Sequence, residues 1–199
     1  MDSILTTTML LDRLRNPAEQ LAWVEIDQRY RPILEGLART LGLSGADAAD
    51  VAQATLSELV RSIKNGTYDR TKGRLRSWIM GIARHKVAAE RRAGARGGPA
   101  RGDSALAGVP AERELDSIWE LEQRQHVLRC ALDRLRDSAR VNPTTLRAFE
   151  MVALQGASSE DAARECGITV DAVYVAKSRL TRRLQELVGE ITRAYSRDE

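Results

Sequence analysis

The residues best equipped for chemistry in this chain are cations on one side of a helix near its C-terminal end. Tyr174, Lys177, Ser178, Arg179, Arg182 and Arg183 lie largely away from an apolar seam of Val173, Ala176, Leu180, Leu184 and Leu187. Guanidinium forks and ammonium groups bind phosphate oxygens, while hydroxyls and forks can also reach the edges of bases. Just upstream, Ala162, Ala163 and Ile168 extend the seam through a tight turn at Cys166-Gly167-Ile168. A short helix, a glycine turn and a basic helix make up the plan of a helix-turn-helix, whose second helix enters the DNA major groove. On that plan Tyr174, Val175, Ser178 and Arg179 face the groove, with Lys177 on the same basic helix. Arg164, Arg182 and Arg183 reach phosphates, and the helix start near Thr169 adds backbone amides.

A second cationic stretch lies in the middle of the chain. Between residues 70 and 101 stand Arg70, Lys72, Arg74, Arg76, Arg84, Lys86, Arg91, Arg92, Arg96 and Arg101, against the single acid Glu90. The first 60 residues instead carry more acids than bases, so the two regions offer separate surfaces to separate partners, one of them a polyanion. A melted nucleic-acid strand exposes unstacked bases and a charged backbone, and its reader needs cations with planes or pockets for bases. The loop from Asn65 to Gly73 and the basic helix after it supply Tyr68, Lys72, Arg74, Arg76 and His85 for that purpose. Arg91 and Arg92, beside the other cations, are expected on phosphates.

Other chemistries lack their residues. No nucleophile–base pairing, Gly-rich phosphate loop or paired carboxylates stand out, so the chain reads as no enzyme and needs no cofactor. Cys130 and Cys166 form no CxxC pair, and with His85 and His126 they lack the spacing of a zinc site. They are expected to be reduced, buried thiols of a cytoplasmic protein. No apolar run reaches the roughly 18 residues of a membrane span, and the N-terminus lacks the basic start and apolar core of a signal peptide.

The elements needed to position these residues are all helical. The pattern predicts an all-α chain of two small helical domains, residues 1–92 and 113–199, joined by a flexible Gly-, Ala- and Pro-rich linker at 93–112. In the first domain, Asn16 and Pro17 look like a helix start, with Leu21, Trp23, Val24, Ile26 and Tyr30 inward and Pro32 opening a new helix or kinking this one. Ser44 and Asp47 resemble a capping box for a helix reaching Lys64, with Val51, Thr55, Leu59 and Val60 as its apolar stripe and Asn65-Gly66 as its stop. Leu75, Trp78, Ile79, Ile82, Ala83 and Val87 form the next stripe, which places Trp78 in the core. In the second domain, Ile118–Leu135 is expected to turn Leu121, Val127, Leu128, Ala131, Leu132 and Leu135 inward. A helix from Thr144 to Leu154 and the helix-turn-helix complete that domain.

With both halves in hand, the chain resembles an extracytoplasmic-function sigma factor of the sigma-70 family. The carriers of the resemblance are LSGADAADVAQATLSELV, the stretch YDRTKGRLRSWIMGIARHKVAAERRAGAR with its Arg76-Ser77-Trp78 and Ile82-Ala83-Arg84 pattern, and the helix-turn-helix behind a linker. The resemblance implies a first domain that binds core RNA polymerase at the clamp helices of its largest subunit, through Asp47, Asp50, Gln53 and Glu58. It implies melting and reading of the minus-ten element on the non-template strand, which adds Trp78 and Arg84 to the set above. It implies that the second domain reads the minus-thirty-five element as duplex, and that an anti-sigma factor could be a further partner. The chain has Ala49 and Ala54 where the family helix commonly carries an acid, and His85 where the family often has Asn. Its AVYVAKSRL differs from the common TVKSRL type. With Glu199 soon after the last helix, control is expected to come from another protein or from expression. Two alternatives stay open: a sigma-like decoy that sequesters an anti-sigma factor, and a free-standing helix-turn-helix repressor.

Overall fold

Helix follows helix along the computed structural model, which describes residues 7–14, 20–69, 71, 73–94, 111–138 and 141–196. Among the described residues these are α1 Thr7–Leu14, α2 Gln20–Thr40, α3 Gly45–Lys64, α4 Leu75–Gly94, α5 Glu112–Arg136, α6 Pro143–Ala153, α7 Ser159–Cys166 and α8 Val170–Ser196, with no strand. The expected all-α class is therefore observed. The Asn16-Pro17 helix start, Lys72, and residues 95–110 of the expected linker lie outside the described residues. The chain forms two compact units: Met1–His126 with Ala194–Glu199, and Val127–Arg193. The division after His126 falls inside α5.

In the first unit, α2 packs along α3, α3 along α4, and α1 rests on both α2 and α3. Leu10, Leu14, Ile26, Ile33, Leu34, Leu59, Ile79 and Val87 are fully buried between them. Pro32 does not open a new helix, because α2 runs through it. A proline at that position denies a donor to the carbonyl of Gln28, and Gln28 is exposed, so water can take that carbonyl. The first turns of α2 differ from expectation. Ile26 and Tyr30 are buried, but Leu21 is 76% exposed, Val24 is exposed, and Trp23 is half-buried under Lys64 Nζ at 5.4 Å from its ring centroid.

The ends of α2 and α3 are set by local chemistry. Gly42, at φ 88°, closes α2 by donating to Arg39 O, and the Leu43 amide donates to Ala38 O. Ser44 caps α3: its Oγ accepts from the Asp47 amide at 3.2 Å and donates to Asp47 Oδ2 at 2.7 Å. Asn65 and Gly66, at φ 68°, stop α3 where expected. Along its length Val51, Thr55 and Leu59 are buried with Ala48, Ala52, Leu56, Ser62 and Ile63, whereas Val60 is half-buried. The buried Thr55 hydroxyl donates to Val51 O at 2.7 Å, so no polar group is stranded there.

The first half of α5 belongs to this unit. Trp119 is 1% exposed, stacks at a tilt 6.2 Å from the Tyr30 ring, and donates from Nε1 to Gln123 Oε1. Tyr195 meets Tyr30 edge-on at 6.0 Å and donates to Arg29 O, and the Arg29 guanidinium lies over the Tyr195 ring. Helix α5 starts at Glu112, six residues before the expected Ile118, and its buried face is Leu115, Trp119, His126, Val127, Ala131 and Leu135. Leu121 and Leu128, expected inward, are exposed, and Leu132 is half-buried.

In the second unit, α6 opens at Pro143 with Asn142 as its cap, the side chain accepting from the Thr144 and Thr145 amides. Ser158 caps α7 by accepting from the Asp161 amide at 3.0 Å. Gly167, at φ 65°, ends α7 in the left-handed conformation and donates to Ala163 O. Ala148, Met151, Ala162, Ala163 and Val173 form the core of α6, α7 and the start of α8, with Cys166, Ile168 and Val170 packed against it. Any Cβ at Gly167 meets the strain of positive φ, so Gly167→Ala is expected to cost about 1–2 kcal/mol of stability. Urea melting of the full chain measures it. Cys130 and Cys166 form no disulfide and are half-buried rather than buried as expected, and partial burial, with Asp133 nearby, pushes the Cys130 thiol up.

Candidate nucleic-acid interface

Two helical faces carry the expected nucleic-acid residues, one in each unit. In the first, the carbonyl of Arg74 accepts from the Trp78 amide at 3.1 Å and starts the exposed face of α4. Arg74, Trp78, Gly81 and His85 follow at intervals of four, three and four residues, and all are exposed. Trp78, expected in the core, is 37% exposed instead. Its ring leans on Tyr68, with centroids 5.8 Å apart. Tyr68 is only 8% exposed and donates to Gly73 O, so it supports the indole from beneath instead of presenting a plane of its own. The loop leading to α4 is braced by Asp69, whose Oδ1 accepts from the amide and hydroxyl of Thr71.

The other cations of this region divide by role. Arg76 is drawn to α5, its Nη2 lying 3.0 Å from Asp116 Oδ1 and 3.6 Å from Glu120 Oε1. Arg91 donates to the carbonyl of Leu41, just beyond the last residue of α2. Arg92 donates from Nε to Ala88 O at 3.1 Å. Arg76 and Arg91 thus hold the fold together, and Arg84 is half-buried on α4. Among the described residues of this region, Arg74, Trp78 and His85 form an exposed face of the chain at α4.

Gly81 was not among the residues singled out from the sequence. Its backbone is ordinary helix, and a Cβ built there would meet nothing within 4 Å. Glycine in a helix interior costs about 0.5–1 kcal/mol relative to alanine, so neither the turn geometry nor packing accounts for it. Only its mid-helix position between Trp78 and His85 could have flagged it.

In the second unit, Ala162, Ala163, Val173, Ala176, Leu180 and Leu187 of the expected seam are buried, whereas Ile168 and Leu184 are half-buried. The opposite face of α8 is open, with Tyr174 and Val175 each 54% exposed and Lys177, Ser178 and Arg179 exposed beside them. Large apolar groups on a basic face have no fold partner to gain, yet an aromatic edge or a branched methyl can contact a thymine methyl. Thr169 caps this helix, its Oγ1 accepting from the Ala172 amide at 3.1 Å. Arg182 and Arg183 form exposed pairs with Glu186 at 3.4 and 3.1 Å, and Arg164 pairs with Asp161 at 3.1 Å. Such exposed pairs are worth about 0–1 kcal/mol, so phosphate can displace them.

The residues expected at a polymerase surface lie along α3. Asp50 and Gln53 are exposed, Glu58 pairs with Arg61 at 2.6 Å, and Asp47 is occupied by the Ser44 cap. Arg31, not anticipated, joins this surface to α2: it is held by both oxygens of Asp27 and donates to Gln53 Oε1 at 2.5 Å. Its i,i+4 spacing from Asp27 was the available signal.

No group of three or more His, Cys, Asp or Glu side chains suited to a metal occurs among the described residues, and none of their helices is long and apolar enough to cross a membrane. Comparison of the chain with curated proteins found no match. Residues 26–97, which include α3 and α4 and the Trp78 face, match the family model Sigma-70 region 2. The chain thus contains a Sigma-70 region 2 domain.

Proposed function

We propose that the chain is a sigma factor of the extracytoplasmic-function type, which binds core RNA polymerase and directs promoter-specific initiation from the cytoplasm. The observation that carries this reading is the Sigma-70 region 2 match over 26–97, followed in the same chain by a capped helix-turn-helix with an open basic face. The α3 surface with Asp50, Gln53 and Glu58 docks on the clamp helices of the largest subunit. Arg74, Trp78 and His85 then take the melted non-template strand at the minus-ten element, with Arg84 and Arg92 on the same helix. The exposed face of α8 anchors duplex at minus thirty-five. Two weak readers in one chain raise each other's effective concentration and make element spacing part of the specificity.

Run-off transcription with core polymerase and genomic promoter fragments tests this reading. Stimulation of discrete start sites, falling steeply with salt, is expected. Transcription no higher than that of core alone overturns it. A decoy would stimulate nothing while still capturing an anti-sigma factor. A free-standing repressor would fail to bring down core polymerase.

A further inference from the structure

We infer that Gly81 is a positioning residue for the melted strand: its bare backbone forms the floor of a notch between Trp78 and His85 that seats an unstacked base of single-stranded DNA. This deepens the proposed minus-ten contact and rests on it.

Trp78 and His85 stand seven residues apart on one face, roughly 10 Å along the helix axis by its rise per residue. Between them Gly81 presents only backbone, and a Cβ built there would meet no heavy atom within 4 Å. Helical side chains lean toward the N-terminus, so the indole leans away from position 81 and the imidazole leans toward it. Tyr68 fixes the indole from below, so one wall of the notch is held in place before any ligand arrives. The charge around it suits a nucleic acid: Arg74, His85 and Lys86 are at hand, and Glu90 is the only acid in α4. A protein partner would gain apolar contact from a side chain at 81. A base and its sugar gain from having none, because they can approach the helix backbone closely.

The variants are Gly81→Ala and Gly81→Leu in the full chain, assembled with core polymerase on a promoter fragment that the wild type transcribes. Three quantities are read: melting temperature, affinity for core polymerase, and run-off yield from duplex and from a pre-melted bubble template. Gly81→Ala should melt at or above the wild-type temperature and bind core equally well. Its yield should fall about fivefold, and that of Gly81→Leu more than tenfold, on both templates, in line with the loss of a stacked base. Gly189→Ala, a helix-interior change on α8 with only the far end of Arg193 nearby, should leave the yield unchanged.

Wild-type yield from Gly81→Ala overturns the inference. So does a fall in core affinity that accounts for the lost yield, since it would place Gly81 on the polymerase. If the wild type itself stimulates no fragment, the sigma-factor reading fails, and that failure is separate from any effect at position 81.

Discussion

Replacing Trp119 with alanine is expected to destabilise the chain by about 3–5 kcal/mol, the largest effect of any single substitution proposed for it. The indole is almost wholly buried, its ring lies against Tyr30, and its Nε1–H is satisfied by Gln123. Truncation removes the ring's buried area and leaves a cavity beside Tyr30, which also packs on Tyr195. Urea melting followed by near-ultraviolet circular dichroism measures the loss. Trp23→Ala provides the contrast. That indole is half-buried under a lysine, and its loss should cost well under half as much. Equal costs for the two tryptophans would mean that α5 does not complete the first unit.

The second large effect is on binding. Arg179→Ala together with Arg182→Ala should weaken duplex promoter binding roughly 10- to 100-fold, from one lost base-edge contact at about 1–3 kcal/mol and one lost phosphate contact. The slope of log affinity against log salt should shrink by about one for each phosphate contact removed. Stability should hardly change, because Arg179 is exposed and the Arg182 pair with Glu186 is exposed as well. Fluorescence anisotropy on the promoter fragment, repeated at several salt concentrations, reads both numbers. A sigma-like decoy would keep its activity in this variant, so retained activity would favour that alternative.

Legibility in the sequence followed locality. The ends of α3 and the turn after α7 were readable because Ser44, Gly66 and Gly167 act within a few residues of themselves. The seam of α7 and α8 was readable because small and branched residues recur at helical spacing on a face with one available partner. Helix α5 offered two apolar stripes, one through Leu115 and Trp119 and another through Leu121 and Leu128. Periodicity alone cannot choose between them. Tyr30 and Arg76, distant in sequence, decide for the first. The same limit applied to the site: Trp78 shares a stripe with Leu75 and Ile79, yet it is exposed and its ring rests against Tyr68, a contact that periodicity does not reveal. Arg76 and Arg91 looked like two more cations among many until their acceptors, on α5 and just past α2, came into view.

The division of the chain also bears on how such genes can recombine. The first unit is discontinuous, taking in Ala194–Glu199 as well as everything up to His126, so Val127–Arg193 is framed as an insertion. A single crossover in residues 95–110 would hand Tyr30 and Arg76 a foreign Trp119, Asp116 and Tyr195, and each mismatch would have to be repaired by later mutation. Two crossovers, one after His126 and one before Ala194, would exchange the helix-turn-helix as a cassette and leave the first unit's core untouched. Hybrids built with both cuts should keep the first unit's core, and on the proposed function such a cassette exchange would change the duplex contact while leaving the α3 surface as it is.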